Sequence, residues 1–187
     1  LGDVYKRQVC DVSSLKNFVM QKDRPYKFIG THPMAGTEHS GFSAAFKELF
    51  IDAKWVLTPS ANVDQEHIDK LQNLIRETGA KTVIMEPEQH DRAVALISHM
   101  PMLISQALMK CAMPEEEALI LASSGFRDMT RLAMSNTEMA EDMIKMNNKN
   151  IKDALNYLVD TANTLLSNNY LDCLLYTSPS PRDISGS

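Results

Sequence analysis

The stretch KTVIMEPEQHDRAVALISHM, residues 81–100, holds the change of pattern that decides the fold. Its first five residues form a short apolar run with β-branched side chains, which is typical of a strand. From Glu88 onwards the apolar residues recur at helical spacing, and no further strand pattern follows. We therefore predict an α/β fold before Pro87 and an all-α fold after it.

On the N-terminal side of this stretch, short apolar runs alternate with helical segments. The strand-like runs are VCDV, YKFIG and WVLT, which begin at residues 9, 26 and 55. Helices are predicted over Ser13–Gln21 and Asp64–Thr78, the second starting at an Asp64 cap and stopping before Gly79. Strand and helix in alternation predict a parallel sheet with helical crossovers.

On the C-terminal side the chain has the pattern of four or five helices. Their predicted bounds are roughly 88–110, 114–122, 126–134, 136–147 and 148–168. The predicted domains are therefore an α/β domain over residues 9–87 and an all-α domain over residues 88–172.

The two ends of the chain are related at the level of the gene. One back-translation of LGDVYKRQ, residues 1–8, has a reverse complement that encodes CLLYTSPS, residues 173–180, one base out of frame. Protein termini have no physical reason to be reverse complements. We therefore expect residues 1–8 and 173–187 to be adapter-like sequence, and we leave them out of the fold prediction.

Composition narrows the class of protein. The formal net charge is −5, which argues against a nucleic-acid partner. Between the predicted adapter segments only Cys10 and Cys111 occur, with no metal-type spacing, so a reduced cytoplasmic protein without a metal site is expected. No apolar run approaches the ~18 residues of a membrane helix, so no membrane association is expected.

The segment GTHPMAGTEHSG, residues 30–41, offers the first candidate chemistry. His32 follows a predicted strand at the edge where open parallel sheets bind ligands, so it could deprotonate a substrate hydroxyl or be a structural loop histidine. Ser14 also follows a strand and could hydrogen-bond that imidazole or cap the next helix. Glu38 could face a ligand or only solvent.

Two further segments carry charged or titratable side chains. In ASSGFRDMTRLAMSN, residues 122–136, Asp128 and Arg131 share a helix face, either to present the guanidinium to an anionic ligand or as a surface ion pair. His90 and His99 lie nine residues apart on one predicted helix, too far apart to bind one metal ion. Each could simply cap or pack.

Three motifs in this order, HPMAGTEHSG, EQHDRAVALISHMP and SSGFRDMTRLAMSN, resemble the prephenate dehydrogenase family and its arogenate-using relatives. The resemblance implies an NAD(P)-binding Rossmann domain, of which this chain carries the C-terminal half, and a helical domain that forms the homodimer. It also implies oxidative decarboxylation of prephenate to 4-hydroxyphenylpyruvate in tyrosine biosynthesis, with hydride transfer to NAD or NADP.

The resemblance assigns roles to single residues. His32 matches the catalytic histidine that takes up the hydroxyl proton, a task suited by a pKa near neutrality. Ser14 matches the serine that orients this histidine beside the nicotinamide, and Pro33 is expected to contact the cofactor as well. The implied substrate-binding residues are Arg131 for a carboxylate, its neighbour Asp128, His99, and Thr37 and Glu38 at the pocket edge.

The sequence departs from the family pattern in three places. Met102 stands where the family often has a histidine, and Thr137 and Ala140 stand where proline and tryptophan are common. No G-x-G-x-x-G phosphate-binding turn is present. We therefore expect this chain to lack dehydrogenase activity by itself.

Two other classes of protein compete with this interpretation. Hydroxyacid and 6-phosphogluconate dehydrogenases also join a Rossmann domain to helices, but they use a catalytic lysine, and no lysine here lies in a comparable context. A non-enzymatic helical dimerisation module is the second, and it predicts that His32 and Arg131 tolerate replacement by alanine.

Overall fold

The computed structural model describes residues 9–22, 24–36, 41–134 and 137–167. The chain forms two compact units, Leu1–Ile151 and Lys152–Ser187. The first unit contains a four-stranded sheet in the order β1-β2-β3-β4. Its strands are β1 (Val9–Cys10), β2 (Phe28–Pro33), β3 (Lys54–Pro59) and β4 (Lys81–Ile84).

The predicted strands all occur, but one strand pair runs the other way. β1 pairs with β2 and β3 with β4 in parallel, as predicted, whereas β2 pairs with β3 antiparallel, with His32 opposite Val56. A parallel pair usually needs a helical crossover. The described part of the link between β2 and β3 has only two 3-10 helices, Phe42–Ala44 and Lys47–Phe50. The sheet is therefore mixed, and the fully parallel prediction was wrong for this pair.

In the described residues before Pro87, the α-helices beside the sheet are α1 (Asn17–Met20) and α2 (Gln65–Glu77). The first is much shorter than predicted, and the second agrees with the prediction to within a residue at each end. Asp64 lies at the cap position of α2, but it makes no side-chain cap and instead pairs with Lys27. The hydrophobic core of this half lies between sheet and helix, and its buried members are Ile29, Leu57, Ile68, Ile75 and Ala80.

The rest of the described chain is helical, as predicted. The α-helices are α3 (Pro87–Val94), α4 (Met100–Ala112), α5 (Glu116–Ile120), α6 (Ser124–Thr130), α7 (Thr137–Met146) and α8 (Asn148–Ser167). A π-helical turn, Ala95–His99, joins α3 to α4 without a break. A 3-10 turn, Arg131–Met134, continues α6. Met102 and Ala140, two of the departures from the family pattern, are buried together in a small core.

Helix α3 begins where the sequence changes pattern. Pro87 occupies the first turn, where its missing N–H costs nothing, and the Glu86 amide donates to Gln89 Oε1 at 3.3 Å. These local signals fix the start of the helix, and they therefore fix which side chains of the following turn face the sheet. The domain boundary at this point stays a prediction, because the compact units divide after Ile151 instead.

The continuous helix Pro87–Ala112 is long and apolar enough to cross a membrane by length and composition, which the sequence analysis did not expect. This is weak evidence, because core helices pass the same test. His90, Asp91 and His99 lie on this helix and are almost completely buried inside the protein. Because these polar side chains are packed against other parts of the protein, we interpret the helix as a core helix and not as a membrane span.

Candidate functional site

His32 lies near the end of β2 rather than after it, and it contacts helix α3. Its Nδ1 atom is 2.9 Å from Nε2 of His90, and the two rings meet edge to face with their centroids 5.1 Å apart. The two histidines are 58 positions apart in sequence. The sheet edge and the first helix of the all-α half therefore meet at this pair.

The next contact in the chain joins His90 to Asp91. His90 Nδ1 is 2.7 Å from Asp91 Oδ1, and both side chains are buried. The Asp91 carboxylate also accepts the backbone N–H groups of Lys16 and Asn17, each at 2.9 Å. Burial by itself would raise the pKa of Asp91, but the hydrogen bonds from His90 and the two amides outweigh it and lower the pKa. Asp91 is therefore a carboxylate that only accepts hydrogen bonds.

A buried lysine holds the loop after β1 against β2. Lys16 Nζ lies 2.6 Å from Asp11 Oδ2, 2.6 Å from the Thr31 carbonyl oxygen and 3.1 Å from Ser13 Oγ. Burial lowers the pKa of Lys16, although the hydrogen bond and charge of Asp11 act against this. For Asp11, burial would raise the pKa, but the hydrogen bonds from Lys16, Ser13 and Thr31 lower it. All three contacts of the Lys16 ammonium group therefore stabilise the fold.

His99 lies in the π-helical turn and is 1% exposed. Its Nδ1 atom is 3.1 Å from Nδ2 of Asn147, and the same amide nitrogen donates to the Asp91 carbonyl oxygen at 2.8 Å. Burial lowers the pKa of His99 to about 4. Asn147 therefore joins the segment between α7 and α8 to the helix that carries both buried histidines.

The pKa of His32 differs from the sequence-based expectation. Burial, with smaller contributions from the nearby His90, Lys16 and His99, lowers the pKa of His32 to about 4 against the opposing charge of Asp11. The expected pKa near neutrality was therefore wrong. His32 is neutral at pH 7, so it has a lone pair available to accept a proton.

Ser14 lies half-buried in the loop between β1 and α1. No hydrogen bond joins it to His32 in the part of the chain that the structure describes, and the cap position of α1 belongs to Lys16. Instead, Ser14 borders a largely apolar cavity of about 420 Å³. The other residues around this cavity are Ser13, Leu15, Phe18, Val19, Asp142, Met143 and Met146.

Arg131 and Asp128 are both exposed, at the end of α6 and the start of the 3-10 turn. Within the described ranges no ion pair joins them, and neither makes a hydrogen bond to His32 or His90. Their roles in substrate binding stay predictions. A guanidinium that is open to solvent remains available for an anionic ligand.

The other predicted site residues have different positions. Pro33 is half-buried at the end of β2, opposite Trp55. Thr37 and Glu38 lie outside the described residues. Among residues 9–22, 24–36, 41–134 and 137–167, no group of three or more His, Cys, Asp or Glu side chains could hold a metal ion.

The sequence analysis missed the partners of His32. His90 was considered only as a capping or packing residue, and Asp91, Lys16 and Asn147 were not singled out. The available signal was the pair His90-Asp91 in the first turns of a predicted helix that follows a strand, since consecutive imidazole and carboxylate groups on a buried helix need partners.

Comparison with known proteins finds two family models that match successive parts of the chain. Residues 5–84 match the family model described as prephenate dehydrogenase, nucleotide-binding domain. Residues 86–176 match the model described as prephenate dehydrogenase, dimerization domain. Together these two matches cover almost the whole chain.

Individual relatives agree with the family models. The chain is 39% identical over 161 residues to a prephenate dehydrogenase of Bacillus subtilis (strain 168), covering 81% of this chain and 43% of the relative. It is 31% identical over 160 residues to a cyclohexadienyl dehydrogenase of Zymomonas mobilis, covering 81% of this chain and 55% of the relative. The chain thus spans about half the length of these relatives.

Solved structures share the fold. An arogenate dehydrogenase from Synechocystis matches with a TM-score of 0.73 and 34% identity, over 87% of this chain and 63% of that chain. A prephenate dehydrogenase from A. aeolicus, in complex with hydroxyphenyl propionate and NAD+, matches with a TM-score of 0.74 and 28% identity, over 86% and 58%. The predicted fold, a Rossmann-type α/β part followed by a helical part, is confirmed.

Proposed function

The chain belongs to the prephenate dehydrogenase family, and we propose that it supplies the catalytic base and helical domain for the oxidative decarboxylation of prephenate to 4-hydroxyphenylpyruvate. The single observation that carries this proposal is His32. It is a neutral imidazole near the end of β2, held by a buried histidine and carboxylate. The family is one of dehydrogenases, so the reaction is an oxidation.

His32 acts on the hydroxyl group of the substrate. As a hydride leaves the hydroxyl-bearing ring carbon, the hydroxyl proton moves to the imidazole, which is neutral because its pKa is about 4. The ring carboxylate departs as CO2, and its bonding electron pair enters the ring, which becomes aromatic. The phenol oxygen then recovers a proton from His32. General-base assistance of this kind contributes roughly 10²–10⁴-fold to a rate.

The residues around Ser14 fit a planar, mostly apolar group. The cavity of about 420 Å³ beside Ser14 is lined by Leu15 and Phe18 and borders the loop that Asp91 holds. Ser14 and Pro33 are the residues of this chain that we propose to contact the cofactor. A bound nicotinamide dinucleotide, NAD or NADP, supplies the hydride acceptor. We assign no residue to its phosphates, because the sequence has no G-x-G-x-x-G turn.

We assign the carboxylate groups of the substrate to Arg131 and His99. Arg131 is exposed, and a guanidinium suits a planar carboxylate. His99 accepts a hydrogen bond at Nδ1 from Asn147, so its other nitrogen can donate to an anion. By resemblance to the family, we also assign substrate-binding roles to Asp128, Thr37 and Glu38.

The helical half is proposed to form a homodimer in the cytoplasm. Its match to a dimerization domain supports this, as do large apolar side chains that are more than two-thirds exposed in a single copy of this half. These are Ile120, Leu121, Met134, Tyr157 and Leu166. An isologous two-fold interface is the default for such pairs. Light scattering on the protein at micromolar concentration tests this, and a purely monomeric mass would contradict it.

Arogenate is the alternative substrate, favoured by the similarity to the Synechocystis arogenate dehydrogenase. Dehydrogenases that use a catalytic lysine are less well supported. Lys16 is the buried lysine beside the site. Its contacts to Asp11, Thr31 and Ser13 stabilise the fold, so we assign it no catalytic role.

The test is turnover by the full gene product that carries this chain. Prephenate and arogenate are each supplied with NAD and with NADP, and reduced nicotinamide and CO2 are measured together. We expect equal amounts of the two products with one of the substrates. His67→Asn, a change at a partly exposed histidine on α2, should leave the rate unchanged. Absence of CO2 release with both substrates would refute the proposal.

A further inference from the structure

Three contacts in series connect the Ser14 loop to the ring of His32. The amides of Lys16 and Asn17 donate to the Asp91 carboxylate, Asp91 contacts His90 Nδ1, and His90 Nε2 contacts His32 Nδ1. The distances are between 2.7 and 2.9 Å throughout. The series therefore connects the loop after β1 to the end of β2 through residues of helix α3.

The direction of each hydrogen bond follows from the kind of group at the buried end. Asp91 is ionised and already accepts two amides, so His90 must donate to it from Nδ1. A neutral imidazole has one N–H, which leaves a lone pair on Nε2 of His90. That lone pair can only accept, so His32 must donate from Nδ1. The lone pair of His32 is then on Nε2.

We propose that His90 and Asp91 are positioning residues that hold His32 in the tautomer protonated on Nδ1, so that Nε2 is the atom that accepts the substrate proton. The role of Nε2 rests on the proposed function, whereas the tautomer does not. The same carboxylate fixes the Ser14 loop through the amides of Lys16 and Asn17, so one residue orders both predicted catalytic side chains.

The charged and titratable neighbours of His32 allow one competing arrangement. These neighbours are His90, Lys16, His99 and Asp11. If His90 carried two protons, it would donate from both nitrogens, and His32 would accept at Nδ1 and have its proton on Nε2. The two arrangements put the His32 proton on opposite nitrogens, so a measurement of tautomer separates them.

The first experiment is a long-range ¹H–¹⁵N correlation spectrum of the ¹⁵N-labelled protein at pH 7, which distinguishes a protonated ring nitrogen from a bare one. The chain has five histidines, so single replacements can assign them. We expect His32 and His90 to be protonated on Nδ1. His99 should be protonated on Nε2, because Asn147 donates to its Nδ1. A proton on Nε2 of His32 would overturn the proposal.

Two variants test the cause. Asp91→Asn can donate to His90 and so reverse the series, and His90→Phe removes both hydrogen bonds but keeps a ring of similar shape. We expect His32 to shift wholly or partly to the Nε2-protonated form in each. Asp64→Asn is the matched control, since it removes a carboxylate 3.7 Å from the imidazole of His67. A His32 tautomer that stays unchanged in both folded variants would overturn the proposal.

Kinetics of the full gene product give a second reading. Asp91→Asn should lower kcat by about 10²–10⁴-fold with little change in KM, as expected when a base presents the wrong tautomer. An unchanged kcat in this variant would also count against the positioning role. If the spectra agree but neither prephenate nor arogenate is turned over by the wild type, the proposed function fails and the tautomer assignment stands.

Discussion

The ring nitrogen of His32 that carries the proton is set by the contact of His32, on β2, with His90, on α3. His32 was predicted as a site residue from its place after an apolar run, since that position is visible in the local sequence. Its partner His90 lies 58 residues away, and no local pattern shows which of two helical histidines faces the sheet. Ser14 was found for the same local reason, but the contact expected between it and His32 is replaced by His90.

Replacing His32 with Asn should lower kcat of the full gene product by about 10²–10⁴-fold and leave KM nearly unchanged, because proton uptake matters only as the hydride leaves. The wild-type kcat should fall only as the pH approaches about 4, where His32 becomes protonated. Steady-state kinetics across pH 4–8 measure both effects. If kcat still falls at low pH in the His32→Asn variant, that decrease belongs to another titrating group.

Replacing Arg131 with Ala should mainly raise KM, because the arginine would bind a carboxylate that is present in both the ground state and the transition state. The loss of a charge-assisted contact should cost on the order of 2–4 kcal/mol in kcat/KM. Arg127→Ala is the matched control, since Arg127 is an exposed arginine on the same helix. Equal effects of the two changes would remove Arg131 from the site.

At the scale of elements, local pattern located most strands and helices, because hydrophobic period and helix caps are local properties. The direction of a strand is not local. The antiparallel pairing of β2 and β3 depends on the path of the link between them, which no period in the sequence reveals. The length of α1 was overestimated for a similar reason, since the loop before it is held by Asp91 from another element.

Gly30 tests the packing of these elements. A Cβ atom at this position would lie 2.4 Å from Thr58 Oγ1 and 2.9 Å from Met20 Sδ. Gly30→Ala should therefore force β2, β3 and α1 apart and lower the free energy of unfolding by about 1–3 kcal/mol. Gly125→Ala is the control, because nothing lies within 4 Å of the added atom. Urea unfolding measures both, and equal midpoints would contradict the close approach.

At the scale of the whole chain, the site joins the two predicted domains. Asp11, Lys16 and His32 come from residues 9–87, whereas His90 and Asp91 come from residues 88–172, and all five lie in one compact unit. Hydrogen bonds across Pro87 explain why compactness does not divide the chain there. A boundary between folding patterns is visible in sequence, but the contacts that cross it are not.

The free energy of unfolding at mildly acidic pH should depend on the protonation of His32 and His99. The pKa values of His32 and His99 are about 4 in the folded protein and about 6.5 when unfolded, so between these values the unfolded chain binds more protons. The free energy of unfolding therefore falls as the pH drops from 6.5 towards 4. Carboxylates with lowered pKa values, Asp11 and Asp91, contribute only below about pH 4.

The expected slope is up to about 1.4 kcal/mol per pH unit for each of His99 and His32, because the slope depends on the difference in bound protons between the unfolded and the folded protein. Urea unfolding at half-unit steps from pH 7 to 4.5 measures it. His99→Gln should remove about half of the slope, whatever its effect on stability at pH 7. His67→Gln should keep the full slope, because that residue lies outside the buried cluster. An equal slope in the two variants would mean that His99 already carries two protons in the folded protein over this pH range. The hydrogen bond between His99 and Asn147 would then have to be assigned differently.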